Sequence, residues 1–257
     1  MNQVTIKDIM SKPIVIAKSA SIPEALDKML SEGADPLIVT HNGNAIGTLS
    51  RKSIAEILGS KKNSKISPNS IHVATTVEDD FTSAYPDQDI DILIPLLQRY
   101  KLVVILDHEH RLIGQVTLSD LLKVMRPDCV IDDVIETCYT IQADERVVHL
   151  RRRMLDDNIT KFIVIENGTI VGIITETDVA TAMRSFREVV DDRYQDRRIR
   201  NLIVKDIMSS PVITIDRNEN VMTIIDLMLK RNISCVPVTE NGSIIGIITR
   251  DSLIKFL

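Results

Sequence analysis

Tryptophan is absent from this chain of 257 residues, and aromatic residues make up only 3% of it. That scarcity argues against a surface for single-stranded nucleic acid, which needs aromatic platforms for stacked bases. Charge offers no substitute. The formal net charge is −5, so neither nucleic acid nor an anionic membrane is attracted in general. An anionic ligand would need a local cluster of cations and amide dipoles. Cysteine is also sparse: Cys129, Cys138 and Cys235 form no CxxC pair and leave one thiol over. This points to a reducing compartment and away from a disulfide framework or a cysteine zinc site. No apolar run approaches the roughly 20 residues of a membrane helix, and Met1 to Asp8 hold no signal-peptide core. A cytoplasmic protein is expected. Gly-x-Ser-x-Gly, Walker A and zinc-protease motifs are missing, so an enzyme is not expected.

What the chain has is repetition. Four segments share an ending: Ile46-Gly47-Thr48-Leu49-Ser50, Ile113-Gly114-Gln115-Val116-Thr117, Val171-Gly172-Ile173-Ile174-Thr175 and Ile245-Gly246-Ile247-Ile248-Thr249. Seventeen positions before each Gly stands Leu30, Leu97, Leu155 or Leu229, preceded by Met29, Leu96, Met154 or Met228. Insertions therefore fall between copies and not inside them.

Each copy reads as a folding unit. Ile22, Ala25, Leu26, Met29 and Leu30 fall at helical spacing and predict one buried stripe, as do Val221, Ile224, Ile225 and Met228. Ser21 with Glu24 forms a capping box that opens the first helix. Asn42-Gly43, Asn167-Gly168 and Asn241-Gly242 supply hairpin turns, because both residue types tolerate positive φ. In the second copy Pro95 interrupts the stripe, which predicts a helix start near Asp91 with Pro in the first turn, or a kink. The unit is strand, helix, hairpin, helix. One such unit is marginal alone, so four copies imply two paired modules of an α/β fold. The expected boundaries are 1–60, 61–127, 128–186 and 202–257, with a charged helical connector at 187–201.

The chain resembles the CBS-domain family, named after cystathionine β-synthase. The resemblance rests on Lys7-Asp8-Ile9-Met10-Ser11-Lys12-Pro13-Ile14-Val15, on Lys205-Asp206-Ile207-Met208-Ser209-Ser210-Pro211-Val212-Ile213-Thr214 and on the four endings. It implies four tandem CBS repeats, paired into two Bateman modules in a disc-like arrangement. The layout is similar to that of the γ subunit of AMP-activated protein kinase and of stand-alone archaeal proteins. The resemblance further implies adenine nucleotide ligands (AMP, ADP or ATP), no required metal, and a regulated protein as partner.

Family sites pair the Ser or Thr of the ending with an Asp three residues later, which accepts from both ribose hydroxyls. Thr117 with Asp120 and Thr175 with Asp178 fit that pattern, whereas Ser53 and Ser252 replace the Asp in the outer copies. One competent site per module is therefore expected. An Asp at a helix start also caps the helix and complements its dipole, so that reading stands beside the ribose one. The resemblance places a basic residue at the start of the first hairpin strand. Lys161 fits, Lys101 is the second-copy candidate, and Pro36 and Cys235 hold the place elsewhere. Arg51, Lys52 and Arg250 are candidates to reach phosphates across the module, or are plain solvated helix starts. Adenine readout is expected from backbone near Thr82-Ser83-Ala84 and Tyr139-Thr140-Ile141. His108 and His110 make an HxH pair without a third ligand, on a predicted hairpin tip.

The leading expectation is a nucleotide sensor that signals energy state. The alternatives are a sensor of another adenosyl ligand, S-adenosylmethionine or NADH, and a scaffold whose clefts stay empty. A single chain closing on itself and a homodimer both remain open.

Overall fold

The computed structural model describes residues 4–60, 66–189 and 201–257. Residues 190–200 of the expected connector lie outside this range. Each repeat runs strand, helix, strand, strand, helix after a lead-in segment. Repeat one has the lead-in turn α1 (Ile6–Ile9), then β1 (Val15–Ala17), α2 (Ile22–Glu32), β2 (Leu37–His41), β3 (Asn44–Leu49) and α3 (Arg51–Gly59). Repeat two has β4 (Thr82–Ala84), α4 (Leu93–Arg99), β5 (Leu102–Leu106), β6 (Leu112–Thr117) and α5 (Leu118–Val124). Repeat three has the lead-in turn α6 (Ile131–Val134), then β7 (Thr140–Gln142), α7 (Val147–Asp156), β8 (Lys161–Glu166), β9 (Thr169–Thr175) and α8 (Glu176–Val189). Repeat four has β10 (Ile215–Asp216), α9 (Val221–Arg231), β11 (Cys235–Glu240), β12 (Ser243–Thr249) and α10 (Arg250–Ile254).

Local chemistry accounts for these elements. Helix α2 opens where Ser21 Oγ accepts from Glu24 N at 3.3 Å, and it closes at Gly33, which is left-handed at φ 61°. Its buried face is Ile22, Ala25, Leu26 and Met29. Leu30, expected in the same stripe, is 41% exposed. At 100° per residue it falls about 90° off the centre of the stripe, and Met29 takes the core position. In repeat two a 3₁₀ turn at Ile90–Ile92, capped where Asp89 accepts from Asp91 N, leads into α4. Pro95 therefore sits in the first turn of α4, where no amide is missed. Asn42, Asn167 and Asn241 all have φ 51°, and each is followed by a positive-φ Gly. Both central residues being left-handed is the geometry of a tight two-residue hairpin.

In every repeat the first strand pairs in parallel with the second, which pairs antiparallel with the third. The sheets of repeats one and two meet through Ile38, Leu102 and Val104. Those of repeats three and four meet through Ile163, Cys235 and Ile247. A second kind of contact crosses between the two pairs. Leu26, Met29, Ile54 and Leu58 of repeat one share a core with Phe162, Val179 and Met183 of repeat three. Helix α3 lies on α8, and α5 lies on α10. Sheets thus pair one with two and three with four, while helices join one to three and two to four.

Candidate functional site

The shared Gly of each ending has a steric reason. The lead-in segment of the neighbouring repeat crosses directly over it. A β-carbon on Gly172 would lie 2.6 Å from Met208 Sδ, and one on Gly246 would lie 2.7 Å from Glu136 O. Without side chains there, backbone can pair across repeats: Ser11 with Gln115, Glu78 with Thr48, Glu136 with Ile247, and Ser209 with Ile173. Each cleft is therefore made by two repeats. The ending comes from one, and the lead-in comes from its sheet partner. The start of the first hairpin strand comes with the lead-in, because the two are hydrogen-bonded within one repeat, as in Ile38 N to Ile14 O and Ile163 N to Tyr139 O.

Two clefts contain the expected Asp. In repeat two, Asp120 Oδ2 accepts from Thr117 N at 3.0 Å and Thr117 Oγ1 at 2.8 Å, and the side chain is buried. Ser11 Oγ reaches the same oxygen from the other wall at 3.3 Å, while Lys123 Nζ donates to Oδ1 at 3.0 Å. In repeat three, Asp178 Oδ2 accepts from Thr175 N and Thr175 Oγ1, both at 2.7 Å. Its Oδ1 accepts from Ser209 Oγ at 2.7 Å. The capping role is thus present in both. It occupies one oxygen of Asp178 and leaves the other turned to the facing wall. In the lead-ins Asp8, Asp133 and Asp206 likewise accept, through Oδ2, from the backbone N–H three residues earlier, at exposed positions.

The other two clefts are cavities. One, of about 640 Å³, is lined by Ser50, Ser53, Glu78, Lys52, Tyr100 and Lys101, among others. The second, of about 240 Å³, is lined by Glu136, Tyr139, Asn158, Lys161, Thr249 and Asp251, among others. Lys101 and Lys161 therefore line the clefts whose endings carry Ser, not those with Asp120 and Asp178. Lys101 also stands one residue ahead of the place assigned to it. Lys161 pairs with Thr175, but it is Leu102 that pairs with Thr117. Between strand start and Gly, repeat two has twelve residues where repeat three has eleven, which is why counting back from Gly114 could not settle the place.

The segments expected to read adenine lie mostly outside the lining of these two cavities. Cleft lining runs from Glu78 to Phe81 and from Glu136 to Tyr139. Thr82, Ser83, Ala84, Thr140 and Ile141 lie beyond it, in strands, with Ala84 and Ile141 buried in cores. Once a lead-in starts to pair as a strand it turns away from the facing ending, so Tyr139 alone of the six stays at a cavity.

Arg51 and Arg250 do not project into solvent. Arg51 Nη2 donates to Met29 O and Ala34 O, at the end of α2, and Nη1 reaches Thr177 Oγ1 of repeat three at 3.1 Å. Arg250 donates to Met228 O and Asn232 Oδ1, at the end of α9. Each leaves a buried Nε with no acceptor among the described residues. Burial pulls the Arg250 guanidinium below its usual range, partly offset by Asp251, Cys235 and Asp120. Glu176 opens α8. Burial pushes its carboxyl up, with Asp35 adding to the shift, against the opposing pull of Lys101, Lys52 and Lys161. His108 stacks on Tyr85 at 5.5 Å and pairs with Asp87 on the exposed tip.

Comparison with known proteins agrees with this geometry. The CBS domain family model matches residues 6–60, 73–127, 123–185 and 204–257. The chain belongs to the CBS-domain family and is a regulatory protein of four repeats. It is 26% identical over 242 residues to MJ1225 of Methanocaldococcus jannaschii, covering 86% of each. The crystal structure of MJ1225, presented as a candidate archaeal homologue of γ-AMPK, superposes with a TM-score of 0.80 at 25% identity, over 98% of this chain and 99% of that one. MJ1404 of the same organism is 22% identical over an alignment of 264 positions that covers 98% of this chain and 61% of MJ1404. The chain thus spans about three-fifths of that relative's length. A Pyrococcus horikoshii protein of 20% identity shares the fold, with a TM-score of 0.62 over 98% of this chain and 99% of its own. Among the described residues no helix is long and apolar enough to cross a membrane, and no group of three or more His, Cys, Asp or Glu is placed to hold a metal.

Proposed function

We propose that this protein binds adenine nucleotides in the Asp120 and Asp178 clefts and passes their occupancy to a regulated partner. The observation that carries the reading is the split use of the Asp178 carboxylate. Oδ2 is held by Thr175, while Oδ1 meets Ser209 of the opposite wall at 2.7 Å. A ribose diol entering the cleft would donate to that second oxygen, which only accepts. It would also join two repeats, since the carboxylate and the facing Ser belong to repeats three and four. Phosphates would meet Arg51, which already touches Thr177 beside Asp178. Arg250 supplies the same charge near Asp120. The ligand signals to the extent that it prefers the joined arrangement over the parted one.

One observation favours a second reading, an adenosyl ligand with less anionic charge such as S-adenosylmethionine. Beside the Ser11 and Ser209 lead-ins stand Pro36, just before its strand, and Cys235, at the start of its own, neither of them cationic. Calorimetric titration of ligand-free protein with AMP, ADP, ATP, S-adenosylmethionine and NADH separates the two. Micromolar AMP, ADP or ATP binding that disappears in Asp120→Asn/Asp178→Asn is the expected result. Selective binding of S-adenosylmethionine would move the reading to the second ligand class, and no heat with any ligand would leave a scaffold.

A further inference from the structure

The Ser-type clefts have a carboxylate after all, and it comes from the facing wall. The crossing positions of the four lead-ins are Ser11, Glu78, Glu136 and Ser209. Where the ending carries Asp, at Asp120 and Asp178, the crossing residue is Ser. Where the ending carries Ser, at Ser53 and Ser252, the crossing residue is Glu. At the crossing itself every cleft thus sets one carboxylate against one hydroxyl, with the two walls exchanged; the two Glu cavities are also lined by Glu56, Asp79 and Asp80 and by Asp157 and Asp251.

Glu136 has the same two kinds of hydrogen-bond partner as Asp120. Asp120 is held by its N-cap, Thr117 Oγ1, at 2.8 Å and by Lys123 Nζ at 3.0 Å, six residues after that Thr. Glu136 is held by Thr249 Oγ1 at 3.2 Å and by Lys255 Nζ at 2.7 Å, again six residues after the Thr. In repeat one, Glu78 Oε1 accepts from Ser50 Oγ at 2.6 Å and also from Ser53 Oγ. Capping does not require either Glu. Ser50 Oγ already accepts from Ser53 N, and Thr249 and Ser252 cap α10 between them. Both Glu residues line cavities, and each cavity also carries a lysine, Lys101 just before its strand or Lys161 at the start of its own. A carboxylate for hydroxyls and an ammonium for an anion therefore share one open cleft.

Resting on the nucleotide reading above, we propose that the Glu78 and Glu136 clefts are two further sites for phosphorylated nucleosides. In them the acceptor for the ribose diol is a lead-in Glu, and the phosphate faces Lys101 or Lys161. The chain then has four sites of two kinds in place of two.

The test is equilibrium titration of nucleotide-free protein with AMP, ADP and ATP separately, reading stoichiometry and affinity. Wild type should saturate above two equivalents per chain. Glu78→Gln/Glu136→Gln should remove the extra equivalents, or weaken them by about tenfold or more for loss of charged acceptors, and leave the Asp pair unchanged. A wall exchange, Ser53→Asp/Glu78→Ser, should keep the first site because it restores the pattern of repeats two and three. Saturation at two equivalents overturns the proposal while the nucleotide reading stands. Saturation above two that is untouched by the glutamine variants overturns it as well. Absence of binding to wild type removes both. If the glutamine variants fold poorly by their melting curves, wild-type stoichiometry and the exchange variant decide.

Discussion

In the Asp120 cleft, carboxylate and N-cap threonine sit three residues apart on one segment. In the Glu136 cleft the same pair is 113 residues apart, on two repeats. The difference decides what happens when a module loosens. An Asp carboxylate stays on its helix if the repeats part, so its cleft loses only the facing Ser. A Glu carboxylate leaves with the opposite wall, so that cleft loses its acceptor altogether. Two acceptor pairs are therefore locally built, and two exist only while the sheets are closed.

The largest effect that would sharpen this comparison is on binding at the local clefts. Asp178→Asn should weaken nucleotide affinity there by about tenfold to a hundredfold, from one or two charge-assisted bonds. Melting temperature should change little, since an amide oxygen can still accept from Thr175 N. A melting curve that falls together with affinity would mean that Asp178 is chiefly a cap. Next comes the crossing itself. Gly172→Ala presses a methyl onto Met208 and Ser209 O, and it should cost about 1–3 kcal/mol in urea denaturation, as overpacking does. An unchanged midpoint would show that the lead-in yields easily.

A smaller effect separates the two arginines. Arg51→Ala loses bonds to α2 carbonyls and to Thr177 of repeat three, whereas Arg250→Ala loses bonds within repeat four. Arg51→Ala should destabilise by about 1–2 kcal/mol, more than Arg250→Ala, and equal losses would deny Arg51 a role across the modules. The smallest effect concerns pH. The folded pKa of Glu176 is raised, mainly by burial. Relative to unfolded protein, the native state holds the extra proton, so stability from this group is full below the ordinary carboxyl value and is lost as pH rises from there through the raised folded pKa. Glu176→Gln should therefore melt higher than wild type at pH 7 and alike near pH 4. A lower melting point at pH 7 would show that the lysines outweigh burial.

Much of this was legible in the residues. The endings, the stripes of α2 and α9 and the Asn-Gly turns announced four α/β repeats, because those signals act over one or two turns of chain. The Asp pair was legible for the same reason, since Thr117 and Asp120 meet within one helix start. The Glu residues were missed although a trace of them exists. Ile131-Asp132-Asp133-Val134-Ile135-Glu136 aligns with Ile6-Lys7-Asp8-Ile9-Met10-Ser11, and the Glu stands where Ser stands. Its meaning depended on knowing which ending the lead-in crosses.

Helix starts and turn geometry are local, so the amino-acid order alone settles them. Which lead-in crosses which ending is a choice among distant partners with similar apolar faces, and only packing resolves it. The steric demand at Gly47, Gly114, Gly172 and Gly246 admits the sheet partner's lead-in and no side chain of their own. That one tertiary decision carried Lys101 and Lys161 to the Ser clefts and turned two acceptor sets into four.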